Sequence, residues 1–196
     1  SVSANDGDLF FSRSISTLKD RDHLMEIVTP NSIETNTWYH IAVTSSLSES
    51  RIYINGQLTG AVRNENKLPV LISSKNNHLG KTSMVRPMLW FNGRETAELD
   101  GQLDDIRVWN VSRTEDQIKA NMTILSPVQN ELIGHWTFDN KSARDTSGFL
   151  RNGILHGTPK FVEMPSQFNI KPIKFKWGLI NLSSQINSTN KLSNYY

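Results

Sequence analysis

The chain has 196 residues, enough to bury the core of one large or two small domains. Its formal net charge of +2 is too small to mark a nucleic-acid or acidic-membrane partner, and no stretch approaches the run of about 18 apolar residues that spans a bilayer. Cysteine is absent, which excludes a disulfide framework, a thiol nucleophile and any cysteine-containing zinc site.

A hydrophobic share of 37% suits an all-β module with much loop and surface. The chain starts without Met or a signal-peptide pattern, so we read it as an excerpt of something longer. Asn110, Asn121, Asn140, Asn181 and Asn187 head Asn-X-Ser/Thr sequons, which carry little weight in a sequence this rich in Asn, Ser and Thr.

In chain order, Leu9-Phe10-Phe11 and Leu24-Met25-Glu26-Ile27-Val28 read as two short strands joined by the charged loop Lys19-Asp20-Arg21-Asp22. Pro30 to Asn36 forms a turn. Thr37 to Thr44 and Arg51 to Leu58 then make a hairpin, with Asn55-Gly56 supplying the φ > 0 geometry that opens a third strand. Lys67 to Ile72 is a short strand whose Pro69 suits an edge, and Leu79-Gly80 a strand end. Ser83 to Glu98 is irregular, a hairpin or a long loop. Leu103 to Trp109 alternates, with Leu103, Asp105, Arg107 and Trp109 on one face. Ser112-Arg113-Thr114-Glu115 has a capping-box pattern that opens a short helix through Ile118 and Met122, and Pro127 suits its stop.

Three stretches carry a family likeness in order: Trp38-Tyr39-His40-Ile41-Ala42-Val43-Thr44 with Ile52-Tyr53-Ile54-Asn55-Gly56; His78-Leu79-Gly80-Lys81; and Leu99-Asp100-Gly101-Gln102-Leu103-Asp104-Asp105-Ile106-Arg107-Val108-Trp109-Asn110. Together they resemble the laminin-G-like, concanavalin A-like jelly-roll family. The resemblance implies an all-β, two-sheet antiparallel jelly-roll sandwich with one short helix. Leu132 to Asp139, Asp145-Thr146-Ser147-Gly148 and Asn152 to Gly157 resemble the start of such a module. We therefore expect one jelly roll over residues 1–165 whose first strands come from 131–165, or else a next repeat beginning at 131. Residues 166–196 read as a largely flexible tail, and Lys160, Lys171, Lys174 and Lys176 near the C-terminus as a solvated basic stretch.

The resemblance also frames the chemistry. Laminarinase-type glucanases of this fold carry Glu-X-Asp-X-X-Glu on a strand, whereas Glu98-Leu99-Asp100-Gly101-Gln102-Leu103 lacks the second glutamate, so no enzyme is expected. The five histidines are dispersed, without transition-metal spacing, and read as ordinary strand and loop residues. Jelly rolls of this kind often hold a structural Ca²⁺ through an aspartate on the last strand. That position is Asp104, with Asp100 and Asp139 as helpers; alternatively Asp104 and Asp105 pair with Arg107 or accept loop N–H groups.

For a sugar, which needs an aromatic face and planar hydrogen-bonding groups, Trp90, Asn92 and Arg94 offer the mixture, with Asn76 and Asn77 on a second loop. Trp38, Trp109 and Trp136 are assigned to the core. The expectation is a non-catalytic carbohydrate-recognition module of a secreted or cell-surface multidomain protein. It binds a polysaccharide or other glycan, with neither nucleic acid nor membrane insertion. The alternative is a protein-binding or structural adhesion repeat with an extracellular protein partner.

Overall fold

The computed structural model describes residues 2–5, 8–14, 24–64, 78–80, 99–123 and 130–162. The strand expected at Lys67–Ile72, the segment Ser83–Glu98 and the tail over 166–196 lie outside them. The described residues form eight antiparallel strands and one short helix, an all-β architecture.

The first sheet joins β1 (Val2–Asn5), β2 (Asp8–Ser14) and β3 (Leu24–Thr29) in that order. β1 is a strand that the apolar pattern misses, because Val-Ser-Ala-Asn contains no apolar run. In this sheet Leu9 pairs with Thr29 and Phe11 with Ile27, so these four side chains share one face.

The second sheet joins β4 (Ile41–Ser45), β5 (Glu49–Ile54) and β6 (Gln57–Arg63). Its turn is the expected one, since Asn55 and Gly56 have φ of 48° and 75°, both positive as a type I′ turn requires. β4 begins at Ile41, later than the hairpin pattern suggested; His40 N–H donates to Asn55 Oδ1 and its carbonyl accepts from Asn55 N–H, so the backbone before the strand is tied to the turn. The other end is closed by fully buried Asn64, whose Oδ1 accepts from Ser50 Oγ and whose Nδ2 donates to the Ser46 carbonyl.

The two sheets meet where β3 packs on β6, and Leu9, Ile27, Ile52 and Ile54 form one buried cluster flanked by Phe11, Ile33, Tyr39, Ile41, Val43 and Val62. Gly60 is required at the contact, because a Cβ there would lie 2.4 Å from Thr29 Cγ2 and 2.6 Å from Ile27 Cγ2. Both neighbours are β-branched and stiff, so the layers must separate to admit a methyl group. Gly60→Ala is expected to cost about 1–3 kcal/mol, read as a lower urea midpoint at unchanged denaturant slope.

The third sheet pairs β7 (Ile106–Trp109) with β8 (Leu132–Trp136). β7 is shorter than the alternating run because Asp105 has φ of 49°, a left-handed conformation that breaks the strand before it. Between them lies α1 (Glu115–Ala120), whose cap, Thr114, is two residues beyond the expected one, Ser112. Thr114 accepts from Gln117 N–H while the Gln117 side chain accepts from Thr114 N–H. Ser112 instead donates to the Ser45 carbonyl and ties the end of β7 to β4. Met122 lies beyond the helix, which ends at Ala120 with Asn121 as its cap. Leu79-Gly80 is a bend rather than a strand end. Of the tryptophans assigned to the core, Trp136 is 3% exposed, whereas Trp38 and Trp109 are only half-buried.

Candidate functional site

Two clefts flank the segment 99–104. The first, about 900 Å³, separates it from residues 33–44 and reaches the end of α1; the second, about 990 Å³, separates it from residues 136–143 and 153–162. Trp38, Gln102, Leu103 and Asp104 line both, so they form the wall between the two.

That wall is anchored by Asp105. Its Oδ1 accepts from Arg107 Nε and from His135 Nε2, each at 2.8 Å, and its Oδ2 accepts from Arg107 Nη2. Arg107 Nη1 donates to the Asn121 carbonyl, so β7, β8 and the end of α1 are held by one carboxylate and one guanidinium. Burial pushes the Asp105 carboxyl up, but the bonds from His135 and Arg107 and the charge of Arg107 outweigh it and hold the group below the usual carboxylate range.

Asp104 is the opposite case. Burial raises its carboxyl above the usual range, the negative charges of Asp105 and Asp139 add to that, and a bond from Asp105 N–H opposes it. Among the described residues it has no ion-pair partner. Adjacent carboxylates therefore have different roles, one neutralised within the fold and one left at the cleft wall. Of the alternatives open for this doublet, Asp105 takes the pairing with Arg107 and Asp104 accepts a loop N–H.

His40 and His135 depart from the expectation of ordinary histidines. Burial and the neighbouring Arg107 charge lower His40 to about 4 against a smaller opposing pull from Asp105, and its buried Nδ1 has no hydrogen-bond partner among the described residues. His135 lies 2.8 Å from Asp105 and 3.0 Å from Thr146 Oγ1, and Thr146 N–H donates to the His135 carbonyl. This line runs on into Asp145, which is 2% exposed and accepts three backbone N–H groups, from His135, Ser147 and Arg151, each at 2.9 Å. Its own N–H donates to Asn152 Oδ1, and Trp136 Nε1 donates to the Arg151 carbonyl. Asp145 thereby ties the loop after β8 back onto β8 itself.

Of the expected metal ligands, Asp104 and Asp139 both line the second cleft, while exposed Asp100 lines only the first. Among the described residues no three His, Asp or Glu side chains converge as a metal-holding group. Asp104 and Asp139 stand at the same cleft, the charge of Asp139 contributes to the raised value of Asp104, and among the described residues neither carboxylate is in an ion pair.

The expected sugar-binding residues Asn76, Asn77, Trp90, Asn92 and Arg94 all lie outside the described residues. The ends of their loops do not: His78 and Gly80 line the second cleft, and Leu99 N–H donates to the Gly80 carbonyl at 2.8 Å. Phe138, which also lines the second cleft, has φ of 60°, a conformation costly for a bulky residue.

The model of the family described as the concanavalin A-like lectin/glucanases superfamily matches residues 2–119. None of the curated proteins is significantly similar in sequence. Two solved structures are similar. One is a segment of an S-layer domain-containing protein from Clostridium thermocellum, 23% identical over 59% of this chain and 52% of that one, with a TM-score of 0.41. The other is a candidate carbohydrate-binding protein from Bacteroides ovatus, 21% identical over 72% of this chain and 38% of that one, with a TM-score of 0.46. The chain therefore matches about half of the first structure's length and less than two-fifths of the second's.

Proposed function

The chain belongs to the concanavalin A-like lectin/glucanases superfamily, and from that premise we propose that it is a non-catalytic module that recognises a carbohydrate through the second cleft, within a secreted or surface-exposed protein. The observation that carries this reading is the lining of that cleft. Trp38 and Phe138 offer aromatic faces for the C–H surface of a sugar, and Gln102, Asp104 and Asp139 offer planar groups for its hydroxyls. Gly80 of the lining and Leu99, which bracket Trp90, Asn92 and Arg94 in sequence, are joined by a backbone hydrogen bond, and Asn77 directly precedes His78 of the lining. Pairing of β8 with β7 supports residues 131–162 as part of this same sandwich.

A glycan array followed by titration calorimetry tests the proposal. Wild type is expected to bind an oligosaccharide, and Gln102→Ala and Trp90→Ala each to weaken that binding roughly tenfold, about 1.4 kcal/mol. An array on which wild type binds nothing overturns it.

A second reading, protein binding, is favoured by the exposed apolar run after β8, where Phe149 is 49%, Leu150 73% and Ile154 66% exposed. Leu150→Ser leaving every partner contact intact would sink that alternative.

We further propose that Asp104 and Asp139 bind Ca²⁺, which would supply fixed positive charge at the rim. A ligand that binds only the folded state stabilises it by about 2.7 kcal/mol at a hundredfold excess over its dissociation constant. Excess Ca²⁺ is therefore expected to raise the thermal midpoint of wild type and to leave Asp104→Ala unmoved. Equal midpoints for wild type in Ca²⁺ and in chelator would remove the calcium from the site.

A further inference from the structure

We propose that the two clefts form one continuous binding surface, on which a single linear glycan lies across the wall 99–104 and is recognised through several consecutive units rather than through one terminal sugar. The proposal rests on the reading of the second cleft as a sugar site.

The wall is thin and its outer edge is open. Leu99, Gly101, Gln102, Leu103 and Asp104 line both clefts, so a single stretch of chain stands between them. One backbone occupies about 5 Å, the spacing of neighbouring strands. Leu103 and Asp104 are half-buried, whereas Asp100, Gly101 and Gln102 are exposed and form the outer edge. At Gly101 that edge carries no side chain, which makes a low point beside the Gln102 amide. Neither backbone nor packing demands a glycine there. Its φ is outside the left-handed region, and a Cβ would meet only the Leu99 side chain, 3.4 Å from Cδ1.

Both sides of this saddle offer what a sugar ring needs. Phe138 and Asp139 stand on the side of the second cleft. On the side of the first, Tyr39 adds an aromatic ring whose hydroxyl is fixed by the N–H of Glu34, and Arg113 holds its guanidinium 4.0 Å from the centre of the Trp109 ring, which pre-places donors for hydroxyls. A linear glycan seated in one cleft brings its next units to the other at high effective concentration, so contacts across the wall add affinity without a second association event.

The test takes a glycan that binds wild type on the array and titrates its oligosaccharides, in order of increasing length, against wild type, Gly101→Leu and Arg113→Ala by calorimetry. Wild-type affinity is expected to rise roughly tenfold or more from the shortest ligand that binds to the longest, and then to level off. Gly101→Leu, which raises a branched side chain on the edge, is expected to hold the shortest ligand to within about threefold of wild type and to lose the gain with length. Arg113→Ala changes the first cleft alone and is expected to diminish the same gain while leaving the wall intact. A wild-type affinity that does not depend on length overturns the proposal and leaves the second cleft as a site for a single terminal sugar. A gain with length that both variants retain in full overturns it as well. If wild type binds no oligosaccharide of any length, the sugar reading and this extension of it fall together.

Discussion

Stability is expected to fall by up to about 3 kcal/mol between pH 6.5 and pH 4 through one side chain, His40. Its folded-state value of about 4 lies below the ordinary 6.5 because burial, reinforced by the Arg107 charge, disfavours the imidazolium. A group depressed in this way contributes stability that is complete above 6.5 and is lost as pH falls towards 4, where the unfolded chain binds the proton and the folded one resists it. Asp105 cannot rescue the cation, since both of its oxygens already accept from Arg107 and one also from His135. The carboxylates follow at lower pH, because Asp105 and Asp145 are held below 3.8 and lose their contribution only as pH falls through those lowered values. Asp104 works in the opposite sense, its raised value relieving a small cost on acidification. His40→Leu removes the titrating group together with a buried nitrogen that lacks a partner among the described residues. Urea unfolding at pH 7, 6, 5 and 4 should give a nearly flat profile for this variant where wild type declines. Parallel profiles would show that His40 is not the acid-sensitive group.

The hairpin was the most legible part of the fold, because its information is local. Asn55-Gly56 demands positive φ at two consecutive residues, and period-two alternation on both sides then sets which side chains face the core. The helix cap was misplaced by two residues for an equally local reason. Ser112 and Thr114 are both capable caps, and only the contact of Ser112 with the Ser45 carbonyl, across 67 residues, removes it from competition. The break at Asp105 had no such signal, since a left-handed aspartate looks in sequence like any strand aspartate.

The site was less legible than the fold, because its chemistry depends on burial and on partners distant in sequence. Asp104 and Asp105 are the same residue type at adjacent positions. What separates them is Arg107 in β7 and His135 thirty residues away in β8, which bond Asp105 and leave Asp104 at the cleft. His40 sits in a run that reads as a strand, and its depressed value arises from burial in the folded chain and then from the charge of Arg107, neither of which a window around position 40 contains. Asp145 could have been found. Asp-Thr-Ser-Gly is a turn signature in which an aspartate side chain accepts the N–H two residues on, and the Ser147 bond is of that kind.

Loss of the Asp145 carboxylate is expected to be the most damaging single change on the β8 side of the molecule. Asp145→Ala leaves three backbone N–H groups, those of His135, Ser147 and Arg151, without their acceptor at a position that is 2% exposed. Charge-assisted bonds to backbone N–H groups are stronger than neutral ones, and a buried orphaned donor costs about 1–3 kcal/mol, so the total should reach about 3–5 kcal/mol after partial rehydration of the loop. Asp145→Asn separates charge from geometry. Its single oxygen can serve His135 and Ser147 as Oδ1 does now, but its NH₂ must then face the N–H of Arg151, donor against donor. A loss of about 1–3 kcal/mol is expected, between wild type and alanine. The damage should also travel, because His135 carries both the N–H held by Asp145 and the imidazole bonded to Asp105. Amide exchange at Arg107 and Val108 in β7 should therefore accelerate in Asp145→Ala along with the loop itself. Faster exchange confined to residues 143–153, with β7 unchanged, would show that the loop and the Asp105 anchor are energetically separate.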